Sequence, residues 1–221
     1  MAFDEIWEDI FSSSAWGKYP GEALIRFVAR HFYKANNRRD IRILELGCGP
    51  GANLWYCARE EFSVFGVDGS KTAIRIAKAR LDTEVPDWTG ALCVADISLL
   101  PFDDKMFDAV IDNEAICCNS FEDSQIIYSE AARVLKTSGK LFSRTFSTLS
   151  WGYGTGQELG RNAFLCAEGP LHGKGYARFT TDSEVVDLLG DLVLTSLEEL
   201  KTTRNNRKNA IVEWIIEAEK P

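Results

Sequence analysis

The sequence has no excess of basic residues and no long apolar run. It holds 25 Lys and Arg against 33 Asp and Glu, a formal net charge of −8. Such a surface repels nucleic-acid phosphates, so no nucleic-acid partner is expected. No apolar run approaches the roughly 20 residues that span a bilayer, and the first eleven residues are acidic, unlike a secretory signal. We therefore expect a cytoplasmic protein without a membrane partner.

Metal-binding and disulfide patterns are also missing. The six cysteines include no C-x-x-C pair, which predicts no metal site and no disulfide framework. They are interpreted as small buried thiols in a reducing compartment. The 221 residues, 45% of them hydrophobic, suffice for one α/β domain with a buried core. No pattern indicates an oligomeric state.

Strand-like and helix-like segments alternate along most of the chain. Strands are predicted at 41–46, 63–67, 91–95, 107–112 and 140–146. Helices are predicted at 20–35, 52–61, 70–81 and 121–135. This alternation is typical of a parallel sheet with helices on both faces. Two final strand-like runs, 192–201 and 210–218, flank the polar residues 204–207 and predict an antiparallel hairpin at the edge.

The regularity is lost between residues 147 and 178. This stretch contains seven of the seventeen glycines, and we interpret it as an insertion over one end of the sheet. Loops of this length are usually functional or mobile. Thr181 and Glu184 then predict a capping box for a helix that ends at Leu189.

The strongest functional signal is Ile-Leu-Glu-Leu-Gly-Cys-Gly-Pro-Gly at 43–51. It joins a strand to a helix, where open α/β sheets bind their ligands. Carboxylates close three successive strands, at Glu45, Asp68 and Asp96. Three such acceptors suit a ligand with an ammonium, a ribose diol and an exocyclic amine. S-adenosylmethionine carries these groups and no phosphate.

At these segments the sequence resembles the class I S-adenosylmethionine-dependent methyltransferases, closest to the small-molecule branch. The resemblance covers residues 40–146 and includes Val-Phe-Gly-Val-Asp-Gly-Ser at 64–70 and the Leu-Pro-Phe of 100–102 after Ala95-Asp96. One departure is Thr137-Ser138, where the family has a proline or glycine. The resemblance implies a Rossmann-like seven-stranded mixed sheet of order 3-2-1-4-5-7-6 with strand 7 antiparallel. It also implies one domain over 1–221, with an N-terminal lid at 1–36 and a cap insertion at 147–180.

The resemblance also implies a cofactor site for S-adenosylmethionine and its product S-adenosylhomocysteine. The glycine turn meets the methionine part, with Glu45 organising the loop. Asp68 holds the ribose, Gly69 or Ser70 lies beside the adenine, and the residues after the third strand meet the adenine edge. The implied cofactor residues are Glu45, Gly47, Cys48, Gly49, Gly51, Asp68, Gly69, Ser70, Asp96, Ile97 and Asn113.

Aromatic side chains near the N-terminus extend this site. Trp16 and Tyr19 are predicted to contact the cofactor, since a sulfonium is attracted to a ring face. For Trp7 and Phe11, core packing of an N-terminal helix is favoured. Four aromatics in the insertion either form an acceptor pocket or anchor the loop: Trp151, Tyr153, Phe164 and Tyr176.

Methyl transfer needs a base only when the acceptor atom carries a proton. The candidates are Glu114, which follows the fourth strand, and His172 in the insertion. Each is alternatively a loop residue without a catalytic role. Arg144 in the fifth strand pairs either with an acidic acceptor or with a neighbouring carboxylate.

The predicted function is methyl transfer from S-adenosylmethionine to an O or N atom of a small-molecule acceptor. A non-catalytic S-adenosylmethionine-binding module needs the same pocket and remains an alternative. An NAD(P)-binding oxidoreductase is another, although its fingerprint is G-x-G-x-x-G and this chain has G-x-G-x-G. A methyltransferase acting on proteins is disfavoured, because the chain shows no added recognition domain.

Overall fold

A computed structural model describes residues 4–221; residues 1–3 of the predicted lid lie outside the described residues. The helices are α1 Ile6–Ser13, α2 Glu22–Phe32, α3 Ala52–Arg59, α4 Lys71–Glu84, α5 Phe121–Val134 and α6 Glu184–Leu189. The strands of the main sheet are β1 Arg42–Leu46, β2 Ser63–Asp68, β3 Gly90–Val94, β4 Phe107–Asn113, β5 Leu135–Phe146, β9 Val193–Arg204 and β10 Asn209–Glu219. Three short strands form a second sheet: β6 Gln157–Gly160, β7 Ala163–Leu165 and β8 Ala177–Arg178.

The main sheet has the order β3-β2-β1-β4-β5-β10-β9. Strands β1 to β5 pair in parallel, and β10 runs antiparallel to both β5 and β9. Counted along this sheet, β9 and β10 are strands 6 and 7, so the predicted order 3-2-1-4-5-7-6 with strand 7 antiparallel is confirmed. The carboxyl ends of β1, β2 and β4 therefore meet at one edge, where this fold binds its ligands.

Two apolar clusters cover the two faces of the sheet. One packs α2 and α3 on the sheet through fully buried side chains such as Phe27 and Leu54. The other packs α5 and α6 through Ile127 and Val185. Both faces of the central strands are thus buried, as their unbroken apolar sequences predict. Since α2 belongs to this core, the described part of the predicted lid that faces the ligand edge is residues 4–21, which include α1.

The structure changes two details of the predicted elements. Strand β5 begins at Leu135 rather than Lys140, with a register shift where it pairs with β4. In this irregular part Ser138 adopts a φ of 63°, the left-handed conformation that glycine adopts most easily. The predicted irregular insertion contains the sheet β6-β7-β8, whose strands of two to four residues are too short for their alternation to be recognised.

Local capping follows the sequence prediction. The backbone N–H of Thr181 donates to Glu184 Oε2 at 2.9 Å, and the N–H of Glu184 donates to Thr181 Oγ1 at 3.3 Å. These reciprocal bonds are the predicted capping box before α6. Across residues 4–221, no helix is both long enough and apolar enough to cross a membrane.

Candidate cofactor and acceptor site

A cavity of about 400 Å³ lies at the carboxyl ends of β1, β2 and β4. Its volume falls within the range of small-molecule sites. Twelve of the predicted site residues line it: Trp16, Tyr19, Glu45, Gly47, Cys48, Gly49, Asp68, Gly69, Asp96, Ile97, Asn113 and Glu114. Three predicted residues do not line it: Gly51, Ser70 and His172.

Asp68 connects the end of β2 to the glycine-rich turn. Its Oδ2 accepts the backbone N–H of Gly49 at 2.8 Å, and its Oδ1 accepts that of Ser70 at 2.8 Å. Burial raises the pKa of this carboxyl, while the two N–H donors lower it. The carboxylate therefore fixes the turn and also lines the cavity, where it is available to a ligand hydroxyl.

Glycine is required in the turn for steric reasons. Gly47 has a φ of 58°, and a Cβ on it would lie 2.3 Å from the Cβ of Ala115. Gly51 has a φ of 80°, and its Cβ would lie 2.9 Å from the Cβ of Ala77 in α4. Gly51 therefore serves the packing of α3 on α4, which explains its position outside the cavity.

Glu45 at the end of β1 is the most perturbed carboxyl of the site. It is 3% exposed, and burial raises its pKa to about 8. Its Oε1 accepts the amide N–H of Asn53 at 2.6 Å, whereas its buried Oε2 has no hydrogen-bond partner among residues 4–221. A buried acceptor without a donor is costly, so this atom suits a cationic donor of a ligand in the cavity.

The residues after β3 and β4 complete the inner part of the cavity. Asp96 Oδ1 accepts the backbone N–H and the hydroxyl of Ser98, at 2.9 and 2.6 Å. These bonds fix the turn in which Ile97 is buried against the cavity. Asn113 is the last residue of β4 and lines the same space.

Ser70 has a different role from the predicted contact with adenine. It is fully buried, and its Oγ caps α4 by accepting the N–H of Ala73 at 3.0 Å. Its hydroxyl donates to Glu8 Oε2 of α1, which also accepts the N–H of Thr72 at 3.3 Å. Glu8 therefore attaches α1 to the N-terminus of α4, and these bonds lower its pKa.

Aromatic rings of the N-terminal segment form one wall of the cavity. Trp7, Phe11 and Trp16 contact one another with ring centroids 5.5 to 5.7 Å apart, and all three line the cavity. Tyr19 lines its rim, is 72% exposed, and packs edge-on against Trp55. The rings thus pack together and face the ligand space at once.

Glu114 follows β4 in a constrained turn. Its φ is 67°, unusual for a residue with a side chain, and its N–H donates to the carbonyl of Arg144 at 2.9 Å. The turn is also held by Asp112, whose Oδ1 accepts the N–H groups of Ala115 and Ile116 at 2.9 and 3.0 Å. Strained residues of this kind cluster at functional sites.

The environment of Glu114 adjusts its acidity. Burial and the neighbouring Glu213 raise its pKa, Arg144 and Lys174 lower it, and the outcome is a pKa of about 7. Arg144 Nε lies 3.2 Å from Glu114 Oε1. The same guanidinium donates to both oxygens of Glu213, from Nε at 3.0 Å and from Nη2 at 2.6 Å. Of the two alternatives for Arg144, the structure shows pairing with neighbouring carboxylates.

The insertion contributes few residues to the cavity. Pro170, Leu171 and Lys174 line it, and Lys174 Nζ lies 4.7 Å from the ring centroid of Trp16. His172 is exposed, and its Nδ1 lies 2.8 Å from the carbonyl oxygen of Cys166.

The four aromatics predicted for the insertion are absent from the cavity lining. Tyr153 and Phe164 instead pack against each other and against Phe179, which indicates the loop-anchoring alternative for these two.

Several site residues were not predicted from the sequence. Glu213 and Glu217 both interrupt the apolar residues of β10, and an acid in such a run is a usable signal. Asn53, Glu8 and Lys174 carry no local pattern that distinguishes them from ordinary surface or helix residues. Their roles depend on contacts between segments distant in the sequence.

The residues present fit S-adenosylmethionine. The unpartnered Oε2 of Glu45 suits its ammonium, and the Asp68 carboxylate in the cavity suits its ribose diol. The cavity lining beside the glycine turn includes the carboxyl groups of Glu45 and Asp68, which do not favour a phosphate there. The fold and this site define an S-adenosylmethionine-dependent methyltransferase of the Rossmann-like class.

Comparisons with known proteins agree with this class. The model of a family described as a methyltransferase domain matches residues 37–188, so the chain belongs to this family of methyltransferase domains. A structure of an S-adenosylmethionine-dependent methyltransferase from Methanosarcina mazei superposes with a TM-score of 0.69 at 25% identity, covering 82% of this chain and 93% of that one. The predicted enzyme class and its cofactor are confirmed.

Curated relatives add named activities. A demethylmenaquinone methyltransferase of Tropheryma whipplei is 35% identical over 105 residues, 48% of this chain. The chain spans only 41% of that relative's length. A ubiquinone biosynthesis O-methyltransferase of Bartonella quintana is 26% identical over 192 residues, covering 82% of this chain and 74% of the relative.

Proposed function

We propose that this protein transfers a methyl group from S-adenosylmethionine to an O or N atom of a small-molecule acceptor, with Glu114 as the general base. The observation that carries the proposal is one cavity that joins the inner carboxylates to Glu114 and Arg144. When bound, S-adenosylmethionine supplies an electrophilic methyl group on a sulfonium. Names of relatives such as the ubiquinone biosynthesis O-methyltransferase support a small acceptor.

Different residues along the cavity have different roles in the proposed reaction. Glu45 binds the ammonium, Asp68 accepts the ribose hydroxyls, and Asp96 with Ile97 meets the adenine edge. The aromatic wall of Trp7, Phe11 and Trp16 excludes water from the reacting atoms, because direct displacement depends mainly on positioning. The assignments of Asp68, Asp96 and Ile97 rest on the lining of the cavity and on the implied family roles, and that of Glu45 rests on its unpartnered Oε2.

Glu114 is suited to accept the acceptor's proton. A base works best when its pKa lies near the working pH, and the pKa of Glu114 is about 7. Its constrained turn directs it to the cavity that holds Arg144. Exposed His172 lies outside this lining and is the weaker candidate, so Glu114 is the base we propose.

The proposed setting is a cytoplasmic domain with an N-terminal lid and a cap insertion, acting without nucleic acid or membrane. All six cysteines are free thiols, which suits a reducing compartment. Within the lid at 1–36, α1 and the aromatic wall are the covering part. Within the cap at 147–180, Pro170, Leu171 and Lys174 face the cavity.

The proposed function is tested by measuring methyl transfer by the purified protein. The purified protein is incubated with S-adenosylmethionine and a panel of phenols, alcohols and amines, and S-adenosylhomocysteine is quantified by mass spectrometry. Turnover with at least one acceptor is expected, and Glu114→Gln should lower kcat by about 10²-fold and remove its pH dependence near neutrality. Cofactor binding without any turnover would instead favour the non-catalytic binding module.

A further inference from the structure

Arg144 has donor groups that its carboxylate partners do not use. Glu213, which is 2% exposed, engages Nε and Nη2 and leaves Nη1 on the opposite side of the guanidinium. Among residues 4–221, Nη1 donates to no protein acceptor within hydrogen-bond distance. Because Glu213 holds the other two nitrogens, Nη1 is fixed in direction before any ligand binds.

Space is kept beside this nitrogen by Gly21. A Cβ on Gly21 would lie 3.1 Å from Nη1 of Arg144, and both residues line the cavity. Gly21 has a φ of −72° and a ψ of 152°, values that any residue adopts. The backbone conformation therefore does not require glycine here. The absence of a side chain at Gly21 instead leaves the space in front of Nη1 open.

A carboxyl lies beside the same guanidinium. Glu114 Oε1 is 3.2 Å from Arg144 Nε, and Glu114 and Arg144 both line the cavity, so the cavity presents a proton acceptor and a cationic N–H donor together. Such a pair suits a hydroxyl that loses its proton, because the charge that develops on oxygen meets a fixed donor. A hydroxyl oxygen also keeps a lone pair for methyl transfer while it accepts a hydrogen bond. A neutral amine has one lone pair and cannot do both.

We propose that Nη1 of Arg144 binds the acceptor oxygen, and that the acceptor is a phenol or an enol. This inference rests on the proposed function and specifies its acceptor. Glu114 takes the hydroxyl proton, the oxygen forms a bond to the methyl carbon, and the carbon–sulfur bond breaks with its electron pair left on sulfur. Glu213 is a positioning residue that holds the guanidinium.

Two further features agree with an acidic, flat acceptor. The charged groups around the Glu114 carboxyl are Arg144 on β5, Glu213 on β10 and Lys174 in the insertion, and with burial they bring its pKa to about 7. A base of this strength matches phenols, with pKa values of about 10, better than the far less acidic alcohols. Trp16 and Phe146 supply flat walls for a ring in the same cavity.

The test measures binding of two isosteric probes to the protein saturated with S-adenosylhomocysteine. 4-Nitrophenol reports its ionisation by absorbance, and 4-nitroaniline has the same shape without an acidic hydroxyl. We expect 4-nitrophenol to bind as the phenolate, about tenfold more tightly than 4-nitroaniline, since hydrogen bonds to charged groups are the stronger ones. Equal affinities, binding of the neutral phenol, or no binding at millimolar 4-nitrophenol would overturn the inference.

A prior titration with S-adenosylhomocysteine separates the two claims. If S-adenosylhomocysteine does not bind, the proposed function is wrong, and the inference that rests on it is wrong as well. If it binds and 4-nitrophenol behaves like 4-nitroaniline, only the phenol or enol acceptor is wrong.

Variants locate the bound oxygen. Arg144→Gln would leave the buried Glu213 without its cation and would destabilise the fold. The main variant is therefore Gly21→Ala, because it fills the space at Nη1 and keeps the ion pair. Its matched control is Gly17→Ala, since a Cβ on that cavity glycine meets nothing within 4 Å. We expect Gly21→Ala to weaken 4-nitrophenol binding about tenfold and Gly17→Ala less than about twofold. Equal effects of the two variants would refute the assigned position.

Discussion

Replacing Glu45 by glutamine should change the stability of the fold in a pH-dependent way that favours the variant as the pH rises. Burial raises the pKa of Glu45 from 4.5 to about 8. In the unfolded chain this carboxyl loses its proton at the lower pH, whereas the folded protein keeps it up to the higher one. The folded state therefore binds the extra proton between these values, and wild-type stability falls as pH rises through that window.

The magnitude follows from the two pKa values. Each pH unit between them is worth about 1.4 kcal/mol, so the full difference is at most about 5 kcal/mol between pH 4.5 and 8. The side chain introduced by Glu45→Gln does not titrate, and its amide oxygen can still accept the Asn53 N–H that now reaches Oε1. Its amide N–H group takes the place of the unpartnered Oε2 and adds a constant cost of about 1–3 kcal/mol.

The assay is urea unfolding of both proteins at several values between about pH 5 and about pH 8. The constant cost cancels in the slope, so the free energy of unfolding of Glu45→Gln minus that of wild type should grow with pH by up to about 1.4 kcal/mol per unit. Glu199→Gln, on the exposed face of β9, is the control and should show no such slope. A difference that stays flat or shrinks with rising pH would refute the raised pKa of this buried carboxyl.

Two more perturbations examine the cofactor end of the cavity. Asp68→Ala should weaken S-adenosylmethionine binding by about 10- to 100-fold in calorimetry, because it removes acceptors from a buried diol and from the N–H of Gly49; unchanged affinity would contradict the ribose assignment. Glu8→Gln should loosen α1, because the attachment to Ser70 and Thr72 loses its charge. Hydrogen exchange should then speed up in α1 by about tenfold while the sheet strands stay protected. Equal acceleration everywhere would show global destabilisation instead of a local lid contact.

The order of the sheet was predictable because its signals are local. One sheet topology is indicated by the apolar runs that end in Glu45 and Asp68 together with the glycine turn between strand and helix. The short strands β6 to β8 were missed, since two to four residues carry too little periodicity. The start of β5 was missed because Ser138 takes a left-handed φ of 63° without being glycine.

The cofactor end of the site was more predictable than the acceptor end. The carboxylates Glu45, Asp68 and Asp96 follow directly from strand ends. The contacts of Arg144 with Glu213 join strands about 70 residues apart in sequence, and only the antiparallel pairing of β10 with β5 brings them together. The resemblance implies Gly69 or Ser70 beside the adenine; Gly69 lines the cavity, whereas the hydroxyl of Ser70 donates to Glu8 of α1.

The S-adenosylmethionine site can be tested by calorimetric titration of the purified protein with S-adenosylmethionine, S-adenosylhomocysteine and NADH. We predict that both adenosyl ligands bind and that NADH does not, because the carboxyl groups of Glu45 and Asp68 line the cavity beside the glycine turn, where the pyrophosphate of a dinucleotide would lie. Binding of NADH without the adenosyl ligands would contradict this cofactor site.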